Sequence, residues 1–321
     1  MRIFVTGGSG FLGSRMIRTL VKLDHEVFAL ARSTSSTERV RNLGATPISG
    51  DLEHLGDLAL PKIEATVHAA AYFRFAGPRL PYFRANVEGT RALLTASQNA
   101  GAATFIYLSA GAVIMDDRGS PIRDANERAP TFPNSFSGYI ASKAQGEAAV
   151  LAANKPGFRT LAIRPPAIWG PGDPFSRALP DAIGSGKFAF IERGDYPFAI
   201  CHVDNVIEAV QSALIRGTGG RAYFINDHEP TTFRDFVAML ADLQGLSIGR
   251  LKSVSYRFAF TLGRLMEIGA AITSSKDDPS LSRTLVRMIG REFTVSDTAA
   301  RGDLGYLARV SRVEGLATYN A

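Results

Sequence analysis

A tyrosine and a lysine four residues apart form the first pair in this sequence that could carry chemistry. Tyr139 and Lys143 fall within 136–154, whose pattern predicts a helix, and their spacing places both side chains on one face of it. Of the nine tyrosines, only Tyr139 has a lysine at this spacing. The pKa of tyrosine is about 10, and an ammonium about 4 Å away contributes about 4 kcal/mol, enough to lower that pKa by about two to three units. The pair is therefore a candidate for general acid–base chemistry.

A glycine-rich segment near the start of the chain indicates a nucleotide site. Gly7, Gly10 and Gly13 lie between a predicted strand, 3–6, and a predicted helix, 11–23. Glycines at this spacing allow a tight turn, a close approach of a pyrophosphate to the backbone, and close packing of the helix on the strand. The N-terminus of the helix then offers unpaired N–H groups to the phosphates. The arrangement predicts a dinucleotide-binding site.

The end of the second predicted strand, 27–31, indicates which dinucleotide is bound. In an NAD-binding fold a carboxylate usually holds the ribose 2′-hydroxyl at this point, whereas Arg32 and Ser33 follow the strand here. A guanidinium and a hydroxyl suit a 2′-phosphate instead. We therefore expect NADP(H) to be favoured over NAD(H).

Composition places the chain among ordinary globular proteins. It has 321 residues, of which 45% are hydrophobic and 21% are charged, with a formal net charge of +6. These values exclude a disordered chain, a collagen and a coiled coil. The charge is too small and dispersed to indicate nucleic-acid binding. Because Cys201 is the only cysteine and no signal peptide, spanning segment or metal-ligand spacing is evident, we expect a cytoplasmic protein without a metal.

Short apolar strands alternating with amphipathic helices must position these residues. Strands are predicted at 3–6, 27–31, 46–49, 65–69, 104–109 and 160–164. Their alternation with helices predicts an α/β fold, a Rossmann-type doubly wound parallel sheet. We expect a nucleotide-binding domain at 1–165 with a returning segment near 198–226. After a Pro- and Gly-rich segment, 165–174, which we expect to be irregular, helical patterns dominate, so 166–321 is predicted to be mainly a smaller, mostly helical substrate-binding domain.

The motifs in combination resemble those of the extended short-chain dehydrogenase/reductase family, in particular its 3β-hydroxysteroid dehydrogenase and sterol-4α-carboxylate 3-dehydrogenase branch. The motifs that carry the resemblance are TGGSGFLG at 6–13, VHAAA at 67–71, NVEGT at 86–90, YIASK at 139–143, RPP at 164–166, GPGD at 170–173 and LGY at 304–306. The resemblance implies an NADP(H)-dependent oxidoreductase that interconverts a hydroxyl and a ketone or aldehyde on an apolar, sterol-like or lipid-like substrate. It covers nearly the whole chain.

The resemblance also implies roles for individual residues. Catalysis would fall to Tyr139, Lys143 and Ser109. The cofactor would be bound by Gly7, Ser9, Gly10, Phe11, Leu12, Gly13, Arg32, Ser33, Asp51, Leu52, Ala69, Ala70, Ala71, Asn86, Tyr139, Lys143, Pro166 and Ile168. Tyr72, Phe73, Trp169 and Phe175 flank the predicted centre and are expected to contact an apolar substrate.

One segment departs from the family pattern. The family's catalytic Ser or Thr commonly lies three residues before a Val, and alignment on Val113 puts Ala110 at that position. A one-residue bulge at Gly111 would return Ser109 to the site. We expect Ser109 to be the catalytic hydroxyl; if Ala110 fills the position, the hydroxyl is missing or is donated from elsewhere.

Two other functions share part of this pattern. Nucleotide-sugar epimerases and dehydratases on this fold also use a Tyr–Lys pair, but they need basic groups for a diphosphate, whereas the second half of this chain is rich in Phe and aliphatic residues. A non-catalytic NADP-sensing module would be expected to lose Tyr139 or Lys143, and both are present. An oxidoreductase is therefore favoured over both alternatives.

The stretch 255–290 is apolar almost all round and lies among basic residues. Its basic neighbours are Arg250, Lys252, Arg283, Arg287 and Arg291. The stretch is too charged to span a bilayer. This pattern is typical of a buried helix, a lid over an apolar pocket, a peripheral contact with an anionic membrane, or a homodimer contact.

Overall fold

The computed structural model describes residues 1–54, 58–249, 251–273 and 277–319. Arg250 and the part of 255–290 at 274–276 lie outside the described residues. The strands are β1 (Arg2–Thr6), β2 (Glu26–Ala31), β3 (Thr46–Ser49), β4 (Ala65–His68), β5 (Thr104–Leu108), β6 (Ile122–Ala125), β7 (Arg159–Arg164), β8 (Ala167–Trp169), β9 (Ala189–Ile191), β10 (Ile200–His202), β11 (Arg221–Phe224), β12 (Lys252–Val254) and β13 (Phe293–Val295). The α-helices are α1 (Phe11–Lys22), α2 (Thr34–Asn42), α3 (Arg79–Phe83), α4 (Gly89–Asn99), α5 (Gly138–Ala152), α6 (Pro174–Gly184), α7 (Val203–Ile215), α8 (Phe233–Asp242), α9 (Tyr256–Ile272), α10 (Arg283–Ile289) and α11 (Arg312–Ala317).

Seven of these strands form one parallel sheet in the order β11-β7-β5-β4-β1-β2-β3. The predicted Rossmann-type α/β fold is confirmed. The strand order reverses at β1, which pairs with β2 on one side and β4 on the other. In open α/β sheets ligands bind beyond the carboxyl ends of the strands at such a reversal. The topology therefore predicts a ligand site formed by the loops that follow β1, β2 and β4.

The two faces of the sheet are both covered. In β1, Ile3 and Val5 pack into a core that includes residues of α1 and α7, whereas Phe4 packs on the opposite face. This alternation follows from the two-residue period of a strand. Helix α5 is tied to the sheet by a buried ion pair in which Arg164 on β7 donates to Glu147 at 2.5 Å. The contact fixes the helix that carries the Tyr–Lys pair.

Two elements from the second half of the chain, α7 and β11, belong to the layers of the large sheet. Strand β11 forms the edge next to β7, and α7 packs against α1. The remaining elements enclose a third core rich in aromatic side chains, in which Phe233 lies 5.1 Å from Phe198 and 6.3 Å from Phe190 between ring centroids.

Two local predictions differ from the structure. The segment 165–174 contains a short strand, β8, which pairs with β10, because its two prolines at 165 and 166 precede the ladder and remove no hydrogen bond from it. Helix α2 was not predicted, since its Ser/Thr-rich start is typical of a loop. Its N-terminus is held by reciprocal hydrogen bonds between Ser33 and Ser36.

Candidate functional site

A cavity of about 860 Å³ opens beyond the carboxyl ends of β1 to β4. The predicted site residues that line it are Gly7, Ser9, Gly10, Arg32, Ser33, Asp51, Leu52, Ala69, Ala70, Ala71, Tyr72 and Phe73. These residues follow four different strands, so parallel pairing brings them together at one edge of the sheet. A volume of this size is typical of small-molecule and cofactor sites.

The other predicted residues lie outside this lining. They are Phe11, Leu12, Gly13, Asn86, Ser109, Tyr139, Lys143, Pro166, Ile168, Trp169 and Phe175. Phe11, Leu12 and Ile168 pack against the sheet core, and Gly13 packs against the turn that precedes α1. Their proximity to a bound cofactor stays a prediction.

Two glycines shape the turn after β1. Gly7 has a φ of +75°, and a Cβ there would lie 2.8 Å from the backbone N of Ala70. A Cβ on Gly13 would collide with the carbonyl oxygen of Gly7. The turn, the neighbouring loop and the first turn of α1 therefore approach each other only because both positions lack a side chain. The N-cap of α1 is Gly10, which has no side chain to bond the first N–H groups of the helix.

The far end of the cavity carries positive charge and hydroxyl groups. Arg32, Ser33, Ser35, Ser36 and Arg39 all line it. Arg39 is not among the predicted site residues, because its Ser/Thr-rich surroundings do not predict α2. In a helix that begins at Thr34, Arg39 lies in the second turn, on the side of the cavity. Within the described residues, neither arginine here forms an ion pair with a carboxylate. The set fits a phosphate monoester in its chemistry.

Two of the three predicted catalytic residues, Ser109 and Lys143, lie at the end of β5. Ser109 follows the strand directly, and the Nζ of Lys143 donates to the carbonyl oxygen of Leu108, the last residue of the strand, at 2.5 Å. Tyr139 lies one turn before Lys143 on α5, and its ring contacts that of Phe73 edge to face at 4.6 Å between centroids. Phe73 lines the cavity, so its ring joins the two parts of the site.

Ser109 is buried, and its Oγ has no hydrogen-bond partner among the described residues. A buried hydroxyl without a partner is costly and is uncommon outside functional sites. The strand ends at Leu108 in regular register with β7, and a 3₁₀ turn over Gly111–Ile114 follows. Beyond Leu108 the backbone N–H of Ser109 donates to Ile163, and that of Gly111 donates to Pro165 at 2.7 Å. The pairing therefore keeps its register as far as Gly111 and contains no bulge there. Ala110 is equally buried and offers no hydroxyl.

The pKa values correct one expectation. Burial raises the pKa of Tyr139 to about 12, and burial lowers the pKa of Lys143 to about 7. The expected lowering of the tyrosine pKa by Lys143 is not present in this structure. The ammonium of Lys143 points toward the end of β5: it donates to the carbonyl oxygen of Leu108 and lies 4.0 Å from the ring centre of Tyr107. Helical spacing predicts a shared face but not where a long side chain ends.

A buried hydrogen-bond chain supports the loop after β4. The backbone N–H of Ala70 donates to Thr6, whose hydroxyl lies 2.7 Å from Nδ1 of His68, and Nε2 of that histidine lies 2.9 Å from the hydroxyl of Thr90. Thr90 in turn donates to the carbonyl oxygen of Asn86. Burial lowers the pKa of His68 to about 3, so the ring is neutral at physiological pH.

Asn86 connects this chain to helix α5. Its Oδ1 accepts from the backbone N–H of Tyr72 at 2.7 Å, and its Nδ2 donates to Ser142 at 2.9 Å. Ser142 donates to the carbonyl oxygen of Tyr139. The side chain of Asn86 therefore positions the cavity loop relative to the helix that bears the Tyr–Lys pair.

The predicted substrate residues divide into two groups. Phe73 is 45% exposed and, like Tyr72, lines the cavity. Trp169 is instead completely buried, and its Nε1 donates to Asp227 at 2.6 Å. This corrects its expected role, because a side chain enclosed by the core and already bonded cannot contact a substrate. Phe175 stacks on Phe236 in the aromatic core, at 5.7 Å between ring centroids.

No group of three or more His, Cys, Asp or Glu residues in the described part of the chain is arranged to hold a metal ion. Cys201 is buried, and its burial raises the pKa of the thiol well above the ordinary value. Helices long and apolar enough to cross a bilayer are absent from the described ranges.

Comparison with known proteins identifies the family. The model of the 3-beta hydroxysteroid dehydrogenase/isomerase family matches residues 4–254. The chain is 39% identical to a 4-hydroxy-2-methyl-3-oxo-4-farnesyl-3,4-dihydroquinoline-1-oxide ketoreductase of Stigmatella aurantiaca, over 98% of this chain and 95% of that protein. It is 32% identical to a 2-alkyl-3-oxoalkanoate reductase of Stenotrophomonas maltophilia, over 98% of this chain and 97% of that one.

Solved structures agree on the fold. A UDP-glucuronic acid 4-epimerase from Bacillus cereus in complex with NAD superposes with a TM-score of 0.74 at 21% identity, covering all of this chain and 98% of that one. At this identity the likeness concerns the fold alone. With the family match over most of its length and the two reductases as relatives, the chain belongs to the 3-beta hydroxysteroid dehydrogenase/isomerase family and is an NAD(P)-dependent oxidoreductase.

Proposed function

We propose that the protein is an NADPH-dependent ketoreductase for an apolar, lipid-like ketone. The observation that carries the proposal is the continuity of the site. One cavity runs from Arg32 to Phe73, and the ring of Phe73 contacts that of Tyr139. A cofactor-binding region and a proton donor are thus joined through an apolar side chain.

Gly7, Gly10 and the N-terminus of α1 would hold the pyrophosphate of the cofactor, because the cradle lacks side chains that would block it. Arg32, Ser33 and Arg39 would bind a 2′-phosphate, which supports NADPH over NADH. The bound cofactor supplies a hydride to the carbonyl carbon. Asp51 and the alanines at 69–71 line the same cavity and would complete its walls.

The residues of the chain supply the proton and the alignment. A pKa of about 12 keeps Tyr139 protonated at physiological pH, so its hydroxyl can donate a proton to the carbonyl oxygen as the ketone is reduced. The unpartnered hydroxyl of Ser109 would hydrogen-bond the same oxygen and orient it. Lys143 would bind polar groups of the cofactor from its buried position at the end of β5. In the opposite direction Tyr139 would have to lose its proton first, which its raised pKa disfavours at neutral pH.

The apolar surroundings support a lipid-like substrate. Phe73 contacts Phe75 as well as Tyr139, and Phe136, three residues before Tyr139, contacts Phe260 edge to face. The two reductase relatives are named for a farnesylated quinoline oxide and for 2-alkyl-3-oxoalkanoates, so one name contains a farnesyl group and the other an alkyl group. Such chains bind through burial of apolar area rather than through paired charges.

The test is a screen for ketone-dependent oxidation of NADPH, followed by absorbance. Prenylated cyclic ketones, 2-alkyl-3-oxo acids, 3-oxosteroids and UDP-glucose are compared with NADPH and with NADH. We expect turnover of one or more lipophilic ketones, with a higher kcat/KM for NADPH. Epimerisation of UDP-glucose without net cofactor oxidation, or tight NADPH binding without turnover of any ketone, would refute the proposal.

A further inference from the structure

Helix α9 exposes an apolar face to solvent. Phe258, Leu262, Leu265 and Ile272 follow one another at helical spacing along its 17 residues, with exposed fractions of 58%, 37%, 60% and 79%. Ile268 lies beside them and is 48% exposed. The opposite side, which carries Tyr256, Ala259 and Gly263, is the buried one. The helix thus exposes five large hydrophobic residues in addition to those it buries, unlike a helix that only covers a core.

The charge around this face is positive. Arg257 and Arg264 are exposed on one flank of the apolar face, and within the described ranges neither forms an ion pair. Glu267, the only acid on the helix, is partly buried and is bound by Arg283 at 2.7 Å. A basic flank beside exposed Phe and Leu is the pattern of a helix that lies in the plane of a membrane surface.

A segment shortly after α9 adjoins the proposed substrate site. Asp278, six residues beyond the last residue of α9, accepts hydrogen bonds from Arg74 at 3.0 Å and from the backbone N–H groups of Phe75 and Ala76. The same loop carries Phe73, whose ring contacts Tyr139. An apolar compound leaving the surface that α9 touches would therefore arrive beside the aromatic side of the catalytic centre.

We propose that the exposed face of α9, defined by Phe258, Leu262, Leu265, Ile268 and Ile272, docks the protein on an anionic lipid bilayer, from which it takes its substrate. The substrate part of this inference rests on the proposed ketoreductase function. A bilayer fits better than a second copy of the chain, because a self-complementary contact would bring together faces that carry Arg257 and Arg264 without an acidic residue to neutralise them. Anionic headgroups supply the missing negative charge, and acyl chains cover the apolar face.

The experiment is co-sedimentation of the full-length protein with vesicles. One set contains equal parts of phosphatidylcholine and phosphatidylglycerol, and the other contains phosphatidylcholine alone. We expect binding to the anionic set that weakens as salt is added. Leu265→Asp should lower the partition coefficient by about tenfold or more, since a buried leucine contributes that much. Arg257→Gln and Arg264→Gln should each lower it by about fivefold.

Two controls distinguish binding through this surface from non-specific hydrophobic adsorption and from the reductase function. Ile215 is 72% exposed at the end of α7, and Ile215→Asp should leave vesicle binding unchanged. Leu265→Asp should reduce a short, water-soluble ketone as fast as the wild type without vesicles. No wild-type binding to anionic vesicles at low salt, or equal binding by Leu265→Asp, would overturn the docking proposal even if the reductase is active. A wild-type dimer that Leu265→Asp converts to a monomer, without vesicle binding, would assign the face to a second copy instead.

Discussion

Replacing Lys143 by methionine tests whether this buried ammonium destabilises the fold. Burial lowers the pKa of Lys143 from 10.5 to about 7. Each pKa unit corresponds to about 1.4 kcal/mol, so keeping the charged form in the fold costs about 5 kcal/mol below pH 7. Methionine has a similar length and no charge, but it loses the hydrogen bond to Leu108, worth about 1.5–3 kcal/mol. The net expectation at pH 6 is a variant more stable by about 2–3 kcal/mol.

The sign of the pH dependence makes this prediction specific. Between about pH 7 and 10.5 the unfolded lysine binds a proton that the folded one has lost, so wild-type stability rises with pH across this window. The advantage of Lys143→Met is therefore complete below pH 7 and should shrink by about 3 kcal/mol between pH 6 and 9, so that the two proteins are about equally stable near pH 9. Above pH 10.5 the wild type should be the more stable one, by the hydrogen bond that the variant lacks, about 1.5–3 kcal/mol.

The assay is urea unfolding of both proteins, followed by circular dichroism at several pH values. Lys155→Met is the matched control, because Lys155 is exposed and makes one long hydrogen bond to Gln98, at 3.2 Å. That variant should change the free energy of unfolding by less than about 0.5 kcal/mol. A Lys143→Met protein whose stability difference from the wild type does not depend on pH would refute the reasoning. Its ketoreductase activity should be lost, since the lysine is retained for function at a cost in stability.

Two further predictions concern cofactor choice and the core. Arg32→Ala should weaken NADPH binding by about tenfold to a hundredfold, from the loss of a charge-assisted contact, and NADH binding by much less. Arg39→Ala should also weaken NADPH binding, whereas Arg41→Ala, on the last turn of α2, should not. Calorimetry with both cofactors measures these affinities. Equal losses of affinity for NADPH and NADH would contradict the assignment of the 2′-phosphate site. Trp169→Phe should lower the free energy of unfolding by about 1–3 kcal/mol, because Asp227 loses a buried donor, while KM for the ketone stays unchanged. A raised KM without loss of stability would return Trp169 to the substrate site.

Periodicity and turn chemistry predicted the sheet well. The six strands predicted at 3–6, 27–31, 46–49, 65–69, 104–109 and 160–164 each lie within one residue of an observed strand of the large sheet, because buried parallel strands are apolar runs between Gly- and polar-rich turns. The short strand β6, which lies outside that sheet and is mostly polar, was not predicted. The sequence predicts that the glycine motif and Arg32 share one site, and both line the same cavity. These features depend on local sequence and on the fixed geometry of parallel strands.

What the sequence did not predict depends on side-chain paths and on contacts between distant segments. Arg39 was missed because a Ser/Thr-rich start concealed α2. The ammonium of Lys143 ends at Leu108 and Tyr107, and burial raises the pKa of Tyr139, whereas the sequence predicts that the lysine lowers it. Trp169 is held by Asp227, which is far away in sequence. Spacing along one helix contains none of this information.

Tyr139→Phe tests most directly whether Tyr139 is the proton donor in a ketoreductase. The variant removes one hydroxyl and keeps the ring that contacts Phe73. With NADPH and the best lipophilic ketone, we expect kcat to fall by about 10²–10⁴-fold. The affinity for NADPH, measured by fluorescence titration of the same preparation, should stay within about threefold of the wild type, since the phosphate-binding residues are untouched. A variant that keeps more than about half of the wild-type kcat would contradict the account, because general acid catalysis contributes at least about a hundredfold.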